Sequence, residues 1–153
     1  MAYYIAENAT VVGDVQLGNY VSIWYGAVLR GDSGCISIGN GTNIQDNAVL
    51  HEKTTVGKNC TIGHGAIVHG CTIGDNCIVG MGSIVLDGAV IGENCIVGAG
   101  ALVTGKMNAP AGSLILGNPA KVVRELAEEQ IEHNLQSAEN YIKKAKDALM
   151  IKD

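Results

Sequence analysis

The sequence contains no phenylalanine, a single tryptophan and two prolines, and aromatic residues make up 4% of its 153 positions. A core built on large rings is therefore excluded, and Ile, Val and Ala must fill it. Charged residues are 16% against 47% hydrophobic, which excludes a disordered acidic or basic tail. The net charge is −5, so no nucleic-acid partner is expected, since a surface that tracks phosphates carries excess Lys and Arg. No uninterrupted apolar run approaches the roughly 18 residues that a membrane span needs, and no membrane association is expected. The opening stretch MAYYIAENATVV has neither a basic region nor a sustained apolar one, so no secretory signal is expected. The five cysteines are an odd number and form no C-x-x-C pair. A disulfide framework and a structural zinc cluster are both disfavoured, and the expected location is the reducing cytoplasm.

What the chain has in quantity is glycine, 21 residues, and small aliphatics at a fixed period. Counting in sixes from Ile5 gives Val11, Leu17, Ile23 and Leu29; then Ile38, Ile44, Leu50, Val56, Ile62 and Val68; then Ile73, Val79, Val85, Ile91, Val97 and Val103. Two residues before each lies a second, smaller series that includes Ala27, Ala48, Cys60, Ala66, Cys71, Cys77, Ser83 and Cys95. A period of six cannot serve a helix of 3.6 residues per turn, but it suits short strands whose alternate residues point inward. Glycine or asparagine follows many of the aliphatics, as in Val56-Gly57-Lys58-Asn59 and Ile73-Gly74-Asp75-Asn76, and both tolerate the backbone of a sharp corner. The pattern predicts an all-β solenoid, a parallel β-helix with three hexapeptides per coil, over residues 1–105. Cys60, Cys71, Cys77 and Cys95 fall in the inward slot and read as small buried hydrophobes, whereas Cys35 lies in an insertion and reads as a surface-loop thiol.

Beyond Val103 the repeat lapses. Residues 106–121 read as connecting turns around Pro110 and Pro119. Residues 122–153 contain no Gly or Pro, and Val122, Leu126, Ile131, Leu135, Ala138, Ile142, Ala145 and Leu149 recur at helical spacing. This predicts one amphipathic C-terminal helix lying along the solenoid as part of the same domain.

Every third hexapeptide returns to the same corner, about 4.8 Å higher. One corner collects Arg30, His51 and His69, each directly after its aliphatic residue, and another collects Trp24, Gln45, His64 and Met81. Two stacked imidazoles at His51 and His69 either share a divalent metal or are ordinary surface histidines. His64 lies on the preceding corner, roughly 15 Å away along an extended edge. If all three bind one ion, His64 must come from a neighbouring chain, and a cyclic homotrimer supplies that contact. The fourth histidine, His133, reads as a solvated helix residue.

Leu29-Arg30-Gly31-Asp32, Asn43-Ile44-Gln45-Asp46-Asn47, Leu50-His51 and Gly63-His64-Gly65-Ala66-Ile67-Val68-His69-Gly70-Cys71 together resemble the γ-class carbonic anhydrases and their hexapeptide-repeat relatives. The resemblance implies a left-handed coil. It implies zinc, or ferrous iron or cobalt, held by His51, His64 and His69, with Gln45 near a bound water and Arg30 and Asp32 at the subunit contact. The reaction it implies is reversible hydration of CO2 to bicarbonate, in which the metal lowers the pKa of its water toward 7. For Arg30 and Asp32 an ion pair between chains that only holds the trimer is an equal reading. The acidic loop that the best-known members carry between their first two metal histidines is missing here, and Glu52 is the one carboxylate nearby. Two alternatives stand beside the anhydrase. One is a coenzyme A-dependent acyltransferase, which Gly117-Asn118-Pro119-Ala120-Lys121-Val122-Val123-Arg124 resembles and in which one His is a general base. The other is a non-catalytic trimer that keeps the metal.

Overall fold

The computed structural model describes residues 2–152, with side chains for 2–150, so Met1 and Asp153 of the expected segments lie outside it. The chain winds as a left-handed parallel β-helix of about six turns with one C-terminal helix against it. Three flat faces result. The first stacks Tyr4–Ile5, Ser22–Ile23, Asn43–Ile44, Thr61–Ile62, Ile78–Val79, Ile96–Val97 and Ser113–Gly117. The second and third share the long strands Thr10–Leu17 and Val28–Ile38, which bend round the edge between them. The second continues through Val49–His51, Ile67–His69, Ile84–Val85 and Leu102–Val103, and the third through Thr54–Val56, Thr72–Ile73, Val90–Ile91 and Asn108–Ala109.

Register explains why the period had to be kept. On the second face Leu29, Leu50, Val68, Val85 and Val103 are successive parallel partners, and all five are buried. Each such side chain contributes about 1.5–3 kcal/mol by leaving water, and a slip of one residue would turn the whole column outward.

The small inward slot is more than a place for small hydrophobes. Thr42 Oγ1 donates to the Gly57 carbonyl at 2.6 Å and accepts the Cys60 amide at 3.0 Å. Cys60 Sγ donates to the Gly74 carbonyl at 3.0 Å, Cys77 Sγ to that of Gly92 at 3.1 Å, and Cys95 Sγ to that of Pro110 at 3.2 Å. Cys77 and Cys95 in turn accept the amides of Cys95 and Ser113, at 3.4 and 3.3 Å. Corner carbonyls and amides that would otherwise be buried without partners are satisfied in this way. Cys35 is not on a loop: it is half-buried within Val28–Ile38, where burial and the neighbouring Asp14 carboxylate push its thiol up.

The C-terminal third departs from expectation in two places. Residues 106–121 are not only turns: Asn108–Ala109 and Ser113–Gly117 add strands, and Ala109 and Ile115 extend the core. The helix runs over Glu128–Lys152, not from residue 122. Ala120–Glu125 is instead a strand antiparallel to Ser113–Gly117. The last rung offers an unpaired edge, and the β-branched Val122-Val123 pair suits that edge better than a helix. The helix begins where Gln130 Oε1 accepts the Ala127 amide at 3.0 Å, with Glu128 and Glu129 in its positive first turn.

The helix packs on the first face. Leu126, Ala138 and Ala145 are buried as expected, but Leu135 is 41% exposed and Asn134 is fully buried in its place. Asn134 Nδ2 donates to the carbonyls of Asn76 and Cys95, at 3.1 and 3.2 Å, which ties the helix to two coils at once. His133 is exposed, as expected.

Candidate metal centre

The parallel register places Arg30, His51 and His69 on three successive strands of one edge. Because Leu29, Leu50 and Val68 point inward, the residue after each must point out. The two imidazoles stand with ring centroids 5.2 Å apart and planes at 75°. His51 Nε2 is buried and has no hydrogen-bond partner, an arrangement that costs free energy unless something fills it.

Carboxylates surround the pair. Asp32 Oδ1 lies 3.4 Å from His51 Nε2, while its Oδ2 accepts from Arg30 at 3.0 Å. That hydrogen bond holds the Asp32 carboxyl below its ordinary range. The Arg30–Asp32 pair therefore forms within one chain and needs no second copy. Asp87, from the coil above, hydrogen-bonds His69 Nδ1 and leaves its Nε2 for another partner. Gly70 makes room for it: a Cβ there would meet Asp87 Cγ at 2.7 Å. Glu52 Oε1 is 3.9 Å from His51 Nε2. Ligand atoms of His51, Glu52 and His69 all fall within 4.8 Å of one another.

His64 is not in this group. Its register places it above Asp46, at the corner between the first and second faces, and its Nδ1 is 3.7 Å from Asp46 Oδ1. Gln45 is at that same corner, buried, with Nε2 donating to Asn43 Oδ1 at 3.1 Å. The structure therefore brings Arg30, Asp32, His51 and His69 together and keeps Gln45 and His64 apart from them within one chain. Asp87, which orients the His69 ring, and Asp46, which lies beside His64, were missed by the sequence reading. Asp46 is legible as the register partner of His64 three hexapeptides earlier; Asp87 is one residue past Leu86, which stands over His69.

Between the two corners lies the second face. Its outward residues, Val28, Val49, Ile67, Ile84 and Leu102, are in parallel register and all aliphatic. The corresponding residues of the third face, Ser37, Thr55, Thr72, Val90 and Asn108, are mostly polar.

Over 91% of this chain and 90% of its own length, a protein named probable carbonic anhydrase from Methanocaldococcus jannaschii is 52% identical. The chain belongs to the γ-class carbonic anhydrase family. Gamma carbonic anhydrase 2, mitochondrial, of Arabidopsis thaliana is 47% identical over 91% of this chain, which spans 54% of that protein's length. The solved structure of a hexapeptide transferase family protein from Anaplasma phagocytophilum superposes with a TM-score of 0.93 at 50% identity, covering 95% of this chain and 89% of its own. The GMPPB C-terminal domain family also matches, over residues 32–132. The γ-class family thus shares its coil with transferases, and the fold alone does not choose between their chemistries.

The residues here suit a divalent ion. The imidazoles of His51 and His69 stand side by side, His51 through a buried nitrogen that makes no hydrogen bond and His69 held at its other nitrogen by the Asp87 carboxylate. The relatives from Methanocaldococcus jannaschii and Arabidopsis thaliana are named as carbonic anhydrases, and such a metal is the cofactor that name implies.

Proposed function

We propose that this chain is a γ-class carbonic anhydrase that hydrates CO2 reversibly at a site shared between copies of a homotrimer. The observation that carries the reading is the orphaned His51 Nε2 beside His69, at one edge of an aliphatic face whose other edge bears His64. A neighbouring copy seated on that face would bury Val49, Ile67 and Ile84 and carry its own His64 toward His51 and His69. Three neutral imidazoles then make a zinc, ferrous iron or cobalt site with one position open. Such an ion supplies a water of lowered pKa for addition to carbon.

The chain's own groups do the rest. Asp87 hydrogen-bonds Nδ1 of His69 and so leaves its Nε2 to the site, while the Asp46 carboxylate lies 3.7 Å from Nδ1 of His64. Arg30, held by Asp32, places a positive charge at the same edge, suited to a bicarbonate product. Gln45 travels with His64 on the neighbour's corner, so its amide reaches the site only in the assembly. The five free thiols suit a reducing compartment such as the cytoplasm.

The acyltransferase reading draws support from the hexapeptide transferase family structure. It requires a coenzyme A ester and no metal. Elemental analysis of protein purified without chelator, joined to stopped-flow CO2 hydration, decides between them. Near one metal per chain with hydration supports the anhydrase. Metal without hydration leaves the non-catalytic trimer. Metal-free protein that binds coenzyme A overturns both.

A further inference from the structure

We propose that Glu52 is an in-chain metal ligand, completing a His51–Glu52–His69 group that holds a divalent cation on a single subunit before His64 of a neighbour arrives. The inference rests on the shared-site reading above and adds a residue to it. Three observations carry it. The ligand atoms of the three residues already lie within 4.8 Å of one another. His51 Nε2 is buried and makes no hydrogen bond, with Asp32 Oδ1 3.4 Å and Glu52 Oε1 3.9 Å away.

The third observation is the backbone of Glu52, which is left-handed with φ 63°. The residue after His69, one coil up, has the same φ of 63° and is glycine. Apart from Tyr20, the other described non-glycine residues with positive φ are asparagines, which tolerate it. Glu52 therefore occupies a glycine's place. Thr54 holds it there: its hydroxyl lies 3.0 Å from the His51 carbonyl and 3.1 Å from the Glu52 carbonyl, and accepts the Gly70 amide at 3.1 Å. A strained residue locked beside an orphaned imidazole is a mark of function. Among the described residues no Lys or Arg pairs with Glu52, whereas Asp32 is already held by Arg30. Its carboxylate is free for a cation, and two imidazoles, one carboxylate and a water form an ordinary tetrahedral zinc set.

The consequence is an order of events. A subunit loads its ion through His51, Glu52 and His69, and the neighbour's His64 then joins the ion and tightens the site. Competitive zinc titration and the visible absorption of bound cobalt test this on purified wild type, His64→Ala, Glu52→Gln and the double variant. His64→Ala should still bind one ion per chain, weakened about tenfold or more. Adding Glu52→Gln should weaken it at least about tenfold further. If the double variant binds as His64→Ala does, Glu52 is no ligand and the proposal falls while the shared site stands. If His64→Ala binds as wild type does, the shared site falls while Glu52 is judged by the double variant alone. A wild type that binds no ion overturns both. Glu52→Gly guards against a folding artefact. It relieves the left-handed backbone, so its thermal midpoint should rise even as metal affinity in the His64→Ala background falls. A fall in both would overturn the proposal.

Discussion

His69 stands on the strand directly above His51, and its Nδ1 is held by Asp87 from the next coil. The carboxylate therefore decides which nitrogen of His69 faces the site. Asp87→Asn should keep the fold, since Asp87 is exposed, but let the ring turn. Zinc affinity should drop about 10–100-fold, the usual effect of losing such an outer partner. Competitive zinc titration measures it, and an unchanged affinity would show that His69 is not a ligand through Nε2.

The aliphatic face between the two corners makes a second prediction. Ile67 is 36% exposed in the single chain and sits midway along Val28, Val49, Ile67, Ile84 and Leu102. Ile67→Asp should convert a trimer to monomers with circular dichroism unchanged, because the residue points away from the core. Thr72→Asp, at an exposed position on the third face, should leave the trimer intact. Light scattering on both variants settles it, and an intact trimer for Ile67→Asp would move the contact elsewhere.

Much of this was legible because a six-residue period leaves little freedom. Once Leu50 and Val68 point inward, the outward placement of His51 and His69 follows, and so does the separation of His64 onto another corner. What was not legible depends on edges and contacts that no local pattern encodes. Val122 and Val123 fit a helical stripe as well as a strand, and only the open edge at Ser113–Gly117 chooses the strand. Asn134 displaces Leu135 from the buried stripe because the solenoid offers it two carbonyls. Glu52 was visible as a carboxylate, but not its left-handed backbone.

The cysteine column predicts a pH effect. Contacts with the sulfurs of Cys60 and Cys95, and burial, push the Cys77 thiol up from 9.0, while the same contacts with Cys77 lower the thiols of Cys60 and Cys95. At Cys77 the folded chain thus keeps a proton that the unfolded chain releases above that pH. The contribution is fully present below pH 9 and lost as pH rises beyond it. Cys77→Ser keeps a donor for the Gly92 carbonyl and does not titrate there. Its urea midpoint, compared with wild type at pH 8 and again above pH 10, should therefore decline less. In the folded protein, thiol reagents should leave Cys60, Cys71, Cys77 and Cys95 unlabelled because all four are buried. Cys95 is included, although its contact with Cys77 lowers its thiol to about 7 while burial pushes that of Cys71 up to about 12. An equal decline for the two proteins would contradict the assigned shift.

The strongest test of a shared site mixes two defective subunits. One carries His64→Ala, and the other carries His51→Ala with His69→Ala. Neither homotrimer has a complete three-histidine site, so at a zinc concentration that only the complete site holds, both should stay empty. Refolded together in equal amounts, they assemble at random, and about three-quarters of the trimers contain both kinds. Around a ring of three, any mixed trimer has one contact at which intact His51 and His69 face an intact His64. About a quarter of wild-type sites should therefore return, given cyclic head-to-tail contacts. Bound zinc and CO2 hydration should recover together to that level, because both need the same contact. If the three histidines served one ion within a single chain, mixing would restore nothing. The separation of His64 from the His51–His69 pair seen in the single chain would then not reflect the working site.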